Sequence, residues 1–456
     1  MRFPTLLYIL CGVALWSGCV SYEKYQRPDV NTERLYGDSL SFPVDTTTLA
    51  DVSWREFFTD TKLQALIDTG LAHNADLRIA ALRVTEAEAS LRAARMAYLP
   101  PLSFAPQGGL GSFGGQSTGK SYSLTLSAEW ETDLAGRLTA ARRAAWASAE
   151  QYRDAQQAVR TQLIATIANT YYNLLMLDAQ LSISQRTLDS WKEMFRTLQA
   201  RMEVGESNDA AVSQAKANML AVESSAVSLR QQISEQENSL SVLLGVPPQV
   251  IPRTTLSTQS VPDVPQTGVP LQLLSNRPDV RQAEHALQVA FYNVKVARAA
   301  FYPQITLSGT FGWANSDGSS IVNPGKWLTN MLGSLVQPLF NKGKNMANLR
   351  IAEARQEEAL VSFRQQLLKA GSEVNDALTQ WQKSDERLNL CRIQSEVLRR
   401  TVRSTALLMQ HSDEASYLEV LTARQSLLQA ELSVAQEQFN RIQGMIKLYH
   451  AVGGGE

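Results

Sequence analysis

The longest pattern along the chain is a helical one. From Arg137 to Val204 there is no Gly or Pro, and Leu163, Ile167, Thr170, Leu174, Leu177, Leu181, Ser184, Leu188, Trp191, Phe195, Leu198 and Met202 recur at alternating spacings of four and three. That seam predicts one very long helix packed as in a coiled coil, and at 1.5 Å per residue the run could extend about 100 Å. Leu360, Phe363, Leu367, Ala370, Val374, Ala377 and Trp381 repeat the spacing further on. Both runs stop at short polar turns, "EVGESNDAA" near Gly205 and "QHSDEASYLEV" near Ser412. Return helices to about Leu244 and Val452 are expected, giving antiparallel pairs.

A second period, of two, marks strands. Tyr122, Leu124, Leu126, Ala128 and Trp130 alternate with Ser123, Thr125, Ser127 and Glu129, and Ile305, Leu307, Phe311 and Trp313 with Thr306, Ser308 and Thr310. Strands are expected over about 102–113, 121–131, 304–314 and 327–340, paired as two hairpins. A soluble sandwich would turn the apolar face inward. Here it is expected to face lipid, with the small polar face on a lumen. The strands match the about 9 to 11 residues that a tilted spanning strand needs, and no window after the N-terminus reaches the ~20 consecutive apolar residues of a membrane helix. Tyr98, Trp130, Phe301, Tyr302 and Phe340 cluster at one end of the hairpins, and Phe113, Trp313 and Trp327 at the other, as interfacial girdles do. Four strands cannot close a barrel, and an open edge in lipid leaves each unsatisfied backbone group costing several kcal/mol. The chain is therefore expected to oligomerise. Three copies would give twelve strands, though the pattern alone does not separate three from two or four.

The two patterns occur twice. "ARAAFYPQITLSG" changes from helix to strand at Pro303, and "AARMAYLPPLSFAPQGG" does so at Pro100. Placing residues 76–78 (Asp-Leu-Arg) on 279–281 (Asp-Val-Arg), an offset of 203, also superposes Ala80, Ala87, Ala94, Arg95, Ala97 and Pro100 on Ala283, Ala290, Ala297, Arg298, Ala300 and Pro303. The expected layout is repeat 1 over 56–244, an equatorial linker over 245–275, repeat 2 over 276–452 and a tail over 453–456. Each repeat runs helix, β-hairpin, long helix, return helix, the first helix being about 25 to 35 residues and ending at its Pro. The Pro-punctuated linker, without periodicity, reads as an irregular belt.

The N-terminus is different again. Arg2 precedes an apolar core from Phe3 to Trp16, then Ser17 and Gly18 stand before Cys19. This predicts an export signal over 1–18. Small residues ahead of a cysteine resemble the bacterial lipobox, which would make Cys19 the acylated first residue of a lipid-anchored tail over 19–55, carrying palmitate or a similar chain. The remaining cysteine of the mature chain, Cys391, lies in a helical pattern and reads as a lone buried thiol, so no disulfide framework is expected. A formal net charge of −1 over 456 residues argues against nucleic acid as a partner, and 7% aromatics with Ala, Gln, Leu, Ser, Glu and Arg tracts is helical composition.

Chemistry is sparse. His73, His285, His411 and His450 make no metal-ligand spacing, "GGLGSFGG" at Gly108 lacks the Lys-Ser/Thr of a phosphate loop, and no nucleophile motif occurs. No catalytic residue, cofactor or metal is expected, and an enzyme is disfavoured. The informative charges sit at the helical turns: Glu206 and Asp209 in the first, Asp413 and Glu414 in the second. Repeated about an axis, such acids form rings that attract cations and repel one another in a narrow pore.

Taken together these residues resemble the TolC family of outer-membrane factors, in particular its lipoprotein branch serving resistance-nodulation-division efflux systems. The resemblance rests on "NADLRIAALRVTEAEA", "WETDLAGR", "NRPDVRQAEHAL", "FYPQITLSG", "QPLFNKGK", "YLEVLTARQSLLQAE" and "LYHAVGGG", in this order. It implies a fold that is mainly α with a membrane β-barrel: a homotrimer in which a periplasmic α-barrel tunnel carries a twelve-stranded β-barrel in the outer membrane. It further implies docking to a periplasmic adaptor protein and an inner-membrane transporter, with passive export of drugs or other small solutes. Gly205, Glu206, Ser207, Asp209 and Ser412 would be adaptor-contact tips, and Asp413 and Glu414 the periplasmic aperture. The competing reading is an exported, lipid-anchored coiled-coil scaffold without a pore, which leaves the hairpins without purpose.

Overall fold

A computed structural model describes residues 24–28, 52–111, 119–259, 277–315, 326–411 and 417–455. The elements run α1 (Trp54–Phe57), α2 (Thr61–His73), α3 (Ala75–Met96), β1 (Leu102–Gly111), β2 (Gly119–Thr132), α4 (Arg137–Glu203) and α5 (Asp209–Leu243). After a 3-10 turn at Leu256–Thr258 come α6 (Pro278–Ala299), β3 (Gln304–Asn315), β4 (Lys326–Val336), α7 (Lys344–His411) and α8 (Tyr417–Ala451). Among the described residues no helix is long and apolar enough to cross a membrane.

The single long helix expected before Pro100 is instead two, broken at Asn74. That residue is extended, accepts the Leu77 N–H at 3.0 Å and donates its side-chain amide to the Leu243 carbonyl at 3.0 Å. One side chain thus caps a helix start and satisfies an orphan carbonyl at the end of α5. The helix ahead of Pro303 is also shorter than expected, beginning at Pro278, where the fixed ring torsion suits the first helical turn. Met96 and Ala299 close α3 and α6 four residues ahead of their prolines, since a proline pushes the residue before it out of the helical region.

Two compact units emerge, one gathering the described parts of Met1–Val30, Leu82–Asp154 and Arg281–Gln365, the other those of Asn31–Ala81, Ala155–Val280 and Gln366–Glu456. The first holds a four-stranded antiparallel sheet in the order β1-β2-β3-β4. Register pairs Phe104 with Leu126, Leu126 with Phe311, Leu124 with Trp313 and Trp313 with Trp327, so the apolar residues share one face. Ser103, Ser127, Thr310 and Asn330 line up on the other, joined there by Leu328 and Leu332. Strand β4 stops at Val336 and not near 340, because Pro338 has no N–H for a ladder. Helices of the same unit pack through small side chains, as where Ala87 and Leu91 of α3 meet Ala149 of α4.

In the second unit the heptad positions do form the core: Leu163, Ile167, Leu174, Leu177, Leu188, Trp191 and Leu198 are buried. Around the last three, α4, α5 and α8 pack together through Val212, Ala215, Val420 and Leu421. The described part of the linker is pinned rather than loose. Arg253 pairs with Asp178 of α4 and Glu237 of α5, and Thr254 donates to Asp60, which also accepts the Tyr171 hydroxyl at 2.8 Å. Burial would raise the Asp60 pKa, but these hydrogen bonds outweigh it and hold the carboxyl below its ordinary value, while burial pushes Tyr171 up to about 12. Cys391 is half-buried, not buried as its helical pattern suggested.

Candidate functional site

Two regions carry the residues that the sequence singles out: the joins between helices and strands, and the tips of the long helices. At the first join, Asp133 accepts the Leu138 and Thr139 N–H groups at 2.8 and 2.9 Å and the Thr139 hydroxyl at 2.6 Å, so it caps α4. Arg137 grips Glu131 with two nitrogens, and the Trp130 indole donates to the Tyr98 carbonyl at 2.9 Å. The segment "WETDLAGR" is therefore a strand-to-helix join tied by Trp130, Glu131, Asp133 and Arg137, while the Thr132 hydroxyl donates to the Ile305 carbonyl of β3 at 3.2 Å. At the second join, Gln337 and Asn345 donate side-chain amides to the carbonyls of Phe301 and Ala300 at 2.9 and 3.0 Å. These carbonyls follow directly on the end of α6 and would otherwise lack a side-chain partner.

Between the joins the sheet presents a large apolar face to the outside. Leu102 is 70%, Phe104 65% and Met331 87% exposed. Phe311, Trp313 and Trp327 gather on it, with Trp313 and Trp327 ring centroids 4.7 Å apart. The opposite face is knitted by hydroxyls, as between Ser103 and Ser127 at 2.7 Å. Phe113, the remaining residue expected in that aromatic group, lies outside the described residues.

The first tip is built by a glycine. Gly205 has a φ of +78°, its N–H reaches the Met202 carbonyl at 3.1 Å, and the Glu206 N–H reaches Arg201 at 2.8 Å. This 6→1 and 5→2 pair ends α4 through a left-handed residue, which glycine adopts without a Cβ clash. Asn208, not Asp209, caps α5, accepting the Ala211 N–H at 2.9 Å. Glu206 and Asp209 consequently stand exposed on one turn, with Ser207 half-buried between them. Ser412, Asp413 and Glu414 of the second tip lie outside the described residues, as does Cys19.

Sequence reasoning missed the residues that tie the tips together. The Arg201 guanidinium on α4 donates to the Tyr417 hydroxyl at the start of α8 at 3.0 Å. Deeper in, Arg424 of α8 donates to the Ser190 hydroxyl and carbonyl of α4, and burial lowers its pKa against the opposing pull of Glu193. Glu419, exposed in the first turn of α8, adds an acid beside the second tip. Tyr417, Glu419 and Arg424 stand inside "YLEVLTARQSLLQAE", but their cross-helix partners lie more than 200 residues away for Arg201 and Ser190, so spacing gave no signal. Among the described residues no three His, Cys, Asp or Glu side chains are placed to hold a metal ion.

The chain matches the family described as Outer membrane efflux protein over residues 66–246 and 269–454. It is 32% identical to the cation efflux system protein CusC of Escherichia coli strain K12 over 459 residues, covering 99% of this chain and 100% of that protein. Identity is 29% over 470 residues to the solvent efflux pump outer membrane protein SrpC of Pseudomonas putida, covering 100% of this chain and 99% of that one. Among solved structures, the open state of the Neisseria gonorrhoeae MtrE outer membrane channel superposes with a TM-score of 0.86 at 28% identity, covering 95% of this chain and 98% of that one. A crystal structure of CusC gives 0.85 at 32% identity, with 95% and 99% covered.

Proposed function

Because the chain belongs to the outer membrane efflux protein family, we propose that three copies close their sheets into one twelve-stranded barrel and that this barrel is the passive exit duct of a tripartite pump. The protein is an outer membrane efflux channel homologous to CusC, SrpC and MtrE. Its single most telling feature is the four-stranded sheet whose apolar face is exposed and whose outer strands, β1 and β4, each have one edge without a strand neighbour among the described residues. In lipid such edges leave N–H and C=O groups unsatisfied, so each β1 must pair with the β4 of another copy. The serine and threonine face then lines the lumen.

In this reading the chain is an internal duplication, residues 1–18 are an export signal, Cys19 carries the acyl chains, and the long helices of three copies form the periplasmic tunnel. Gly205, Glu206, Ser207, Asp209 and Ser412 meet a periplasmic adaptor, which joins the channel to an inner-membrane transporter. No energy source or catalytic group is called on, since the duct only conducts. Cation and solvent exporters resemble it to nearly the same degree, and it is taken here as an exit for small solutes in general.

The tunnel's inner end is read as an aperture ringed by acids, Asp413 and Glu414 at the turn with Glu419 beside it. Rings of carboxylates in a narrow passage bind cations and repel one another, which favours cation flow and resists close approach. Single-channel recording in planar bilayers tests this. The double variant Asp413→Asn, Glu414→Gln is expected to lose cation preference and change conductance, and wild-type conductance and selectivity in that variant would remove both residues from the aperture.

A further inference from the structure

The described island of the N-terminal tail, residues 24–28, is fastened at two points. Tyr25 sets its ring edge-on to Phe291 of α6, with centroids 5.8 Å apart and planes at 74°. Its hydroxyl is enclosed, and burial, then the Glu284 carboxylate, pushes the phenol above its ordinary range. Two residues on, Arg27 lies 3.5 Å from Glu284 of α6, and its guanidinium sits over the Phe363 ring of α7, 5.7 Å from the centroid. An aromatic peg and a cation, separated by Gln26, thus hold one short stretch of tail to two helices of the same unit.

Their position gives the contact a purpose. Tyr25 lies six residues after Cys19, and fully extended that stretch reaches at most about 20 Å. Phe291 lies eight residues before Ala299, the last of α6, a distance of about 12 Å along the helix. Beyond Ala299 stand Phe301 and Tyr302, at the base of the hairpins. A lipid on Cys19 is therefore leashed within reach of the level at which the strands begin. Without the fastening, the next described contact of the tail is the Val52 carbonyl, which accepts the Tyr449 hydroxyl at 2.7 Å. That contact lies thirty-three residues after Cys19, a span of up to about 110 Å. Shortening a tether raises the effective concentration of what it carries near its target.

We propose that Tyr25 and Arg27 form a clip that holds the tail on α6 and α7 and keeps the anchor at Cys19 on a six-residue leash at the base of the hairpins. The role of the anchor rests on the acylation of Cys19, whereas the clip itself does not. Lys24, exposed next to Tyr25, provides a tryptic site at the edge of the clip, while the Arg27–Pro28 bond resists trypsin. Opened envelope fragments from cells grown with labelled palmitate, carrying the full-length protein, are treated with trypsin. Loss of label and the appearance of a chain start at position 25 are both followed. The double variant Tyr25→Ala, Arg27→Ala is expected to be cut at least about tenfold faster than the wild type, as for a segment whose local docking is lost. Glu284→Gln, which leaves the tail sequence intact, is expected to fall between the two. Equal cleavage in all three proteins, each still forming the same oligomer, would overturn the clip. A wild type that never takes up label would instead defeat the lipid reading and leave the clip to be judged by the new chain start alone.

Discussion

Arg277 shows how a single residue in this chain can be expensive and still secure. It is 2% exposed, and taking a guanidinium out of water costs several kcal/mol unless its hydrogen bonds are met. Asp279 accepts two of them at 3.0 and 2.7 Å, Glu373 one at 2.6 Å, and the Ala451 carbonyl one at 2.9 Å. Asp279 is itself held below the ordinary carboxylate range: burial would raise it, but Arg277, the Val280 N–H and Gln366 outweigh that. Beside this group His450 is pushed down by burial and by the Arg277 charge, against Asp279 and Glu373. With the folded pKa depressed, the unfolded chain binds more protons in the interval just below the ordinary imidazole value of about 6.5. Stability is therefore full above that value and falls as the pH drops through the interval. The Asp60 and Asp279 contributions are lost only at lower pH, below the ordinary carboxylate value. Thermal unfolding should show a larger drop between about pH 7.5 and about pH 5 for the wild type than for His450→Gln. A drop of the same size in both would show that His450 is not the group responsible. The motif "NRPDVRQAEHAL" made Arg277 and Asp279 visible in the sequence, but Glu373 and Ala451 come from helices about a hundred or more residues away, and no local pattern announces them.

At the scale of elements, periodicity read well where one force dominates. The heptad seam of α4 and the alternation of β2 and β3 each reflect burial or exposure of one face, and both appear in the elements observed. What the period could not supply was the interruptions. Asn74 breaks a helix by capping, and Pro338 ends a strand by lacking a donor, and neither effect carries a periodic signal. Glycine adds a third case. Gly312 pairs with Thr125 where β2 meets β3, and a Cβ there would collide with the Leu124 carbonyl. The two hairpins thus come together through a position that has no room for a side chain. Gly312→Val should prevent β2 and β3 from joining and abolish the detergent-resistant oligomer, while Gly309→Ala on the same strand, where nothing lies near a Cβ, should keep it. The check is migration of unboiled protein on a denaturing gel; a resistant oligomer in Gly312→Val would show that the β2–β3 ladder is not needed.

For the whole molecule, the physical argument is one of incompleteness. Among the described residues, the sheet of four strands has an exposed apolar face and two outer edges without a strand neighbour; such a sheet is unstable in water and unsatisfied in lipid, and in the proposed assembly further copies of the same chain resolve both problems at once. The expectation that copies must join comes from the alternation and the number of strands. How many must join does not, because barrels of several even strand counts are physically sound. Three is the count of the proposed channel, with twelve strands around one lumen. Native mass spectrometry of the full-length protein, extracted from outer membranes in mild detergent, measures it directly. The account predicts a dominant species of three chains; a stable monomer or dimer as the dominant species would contradict it.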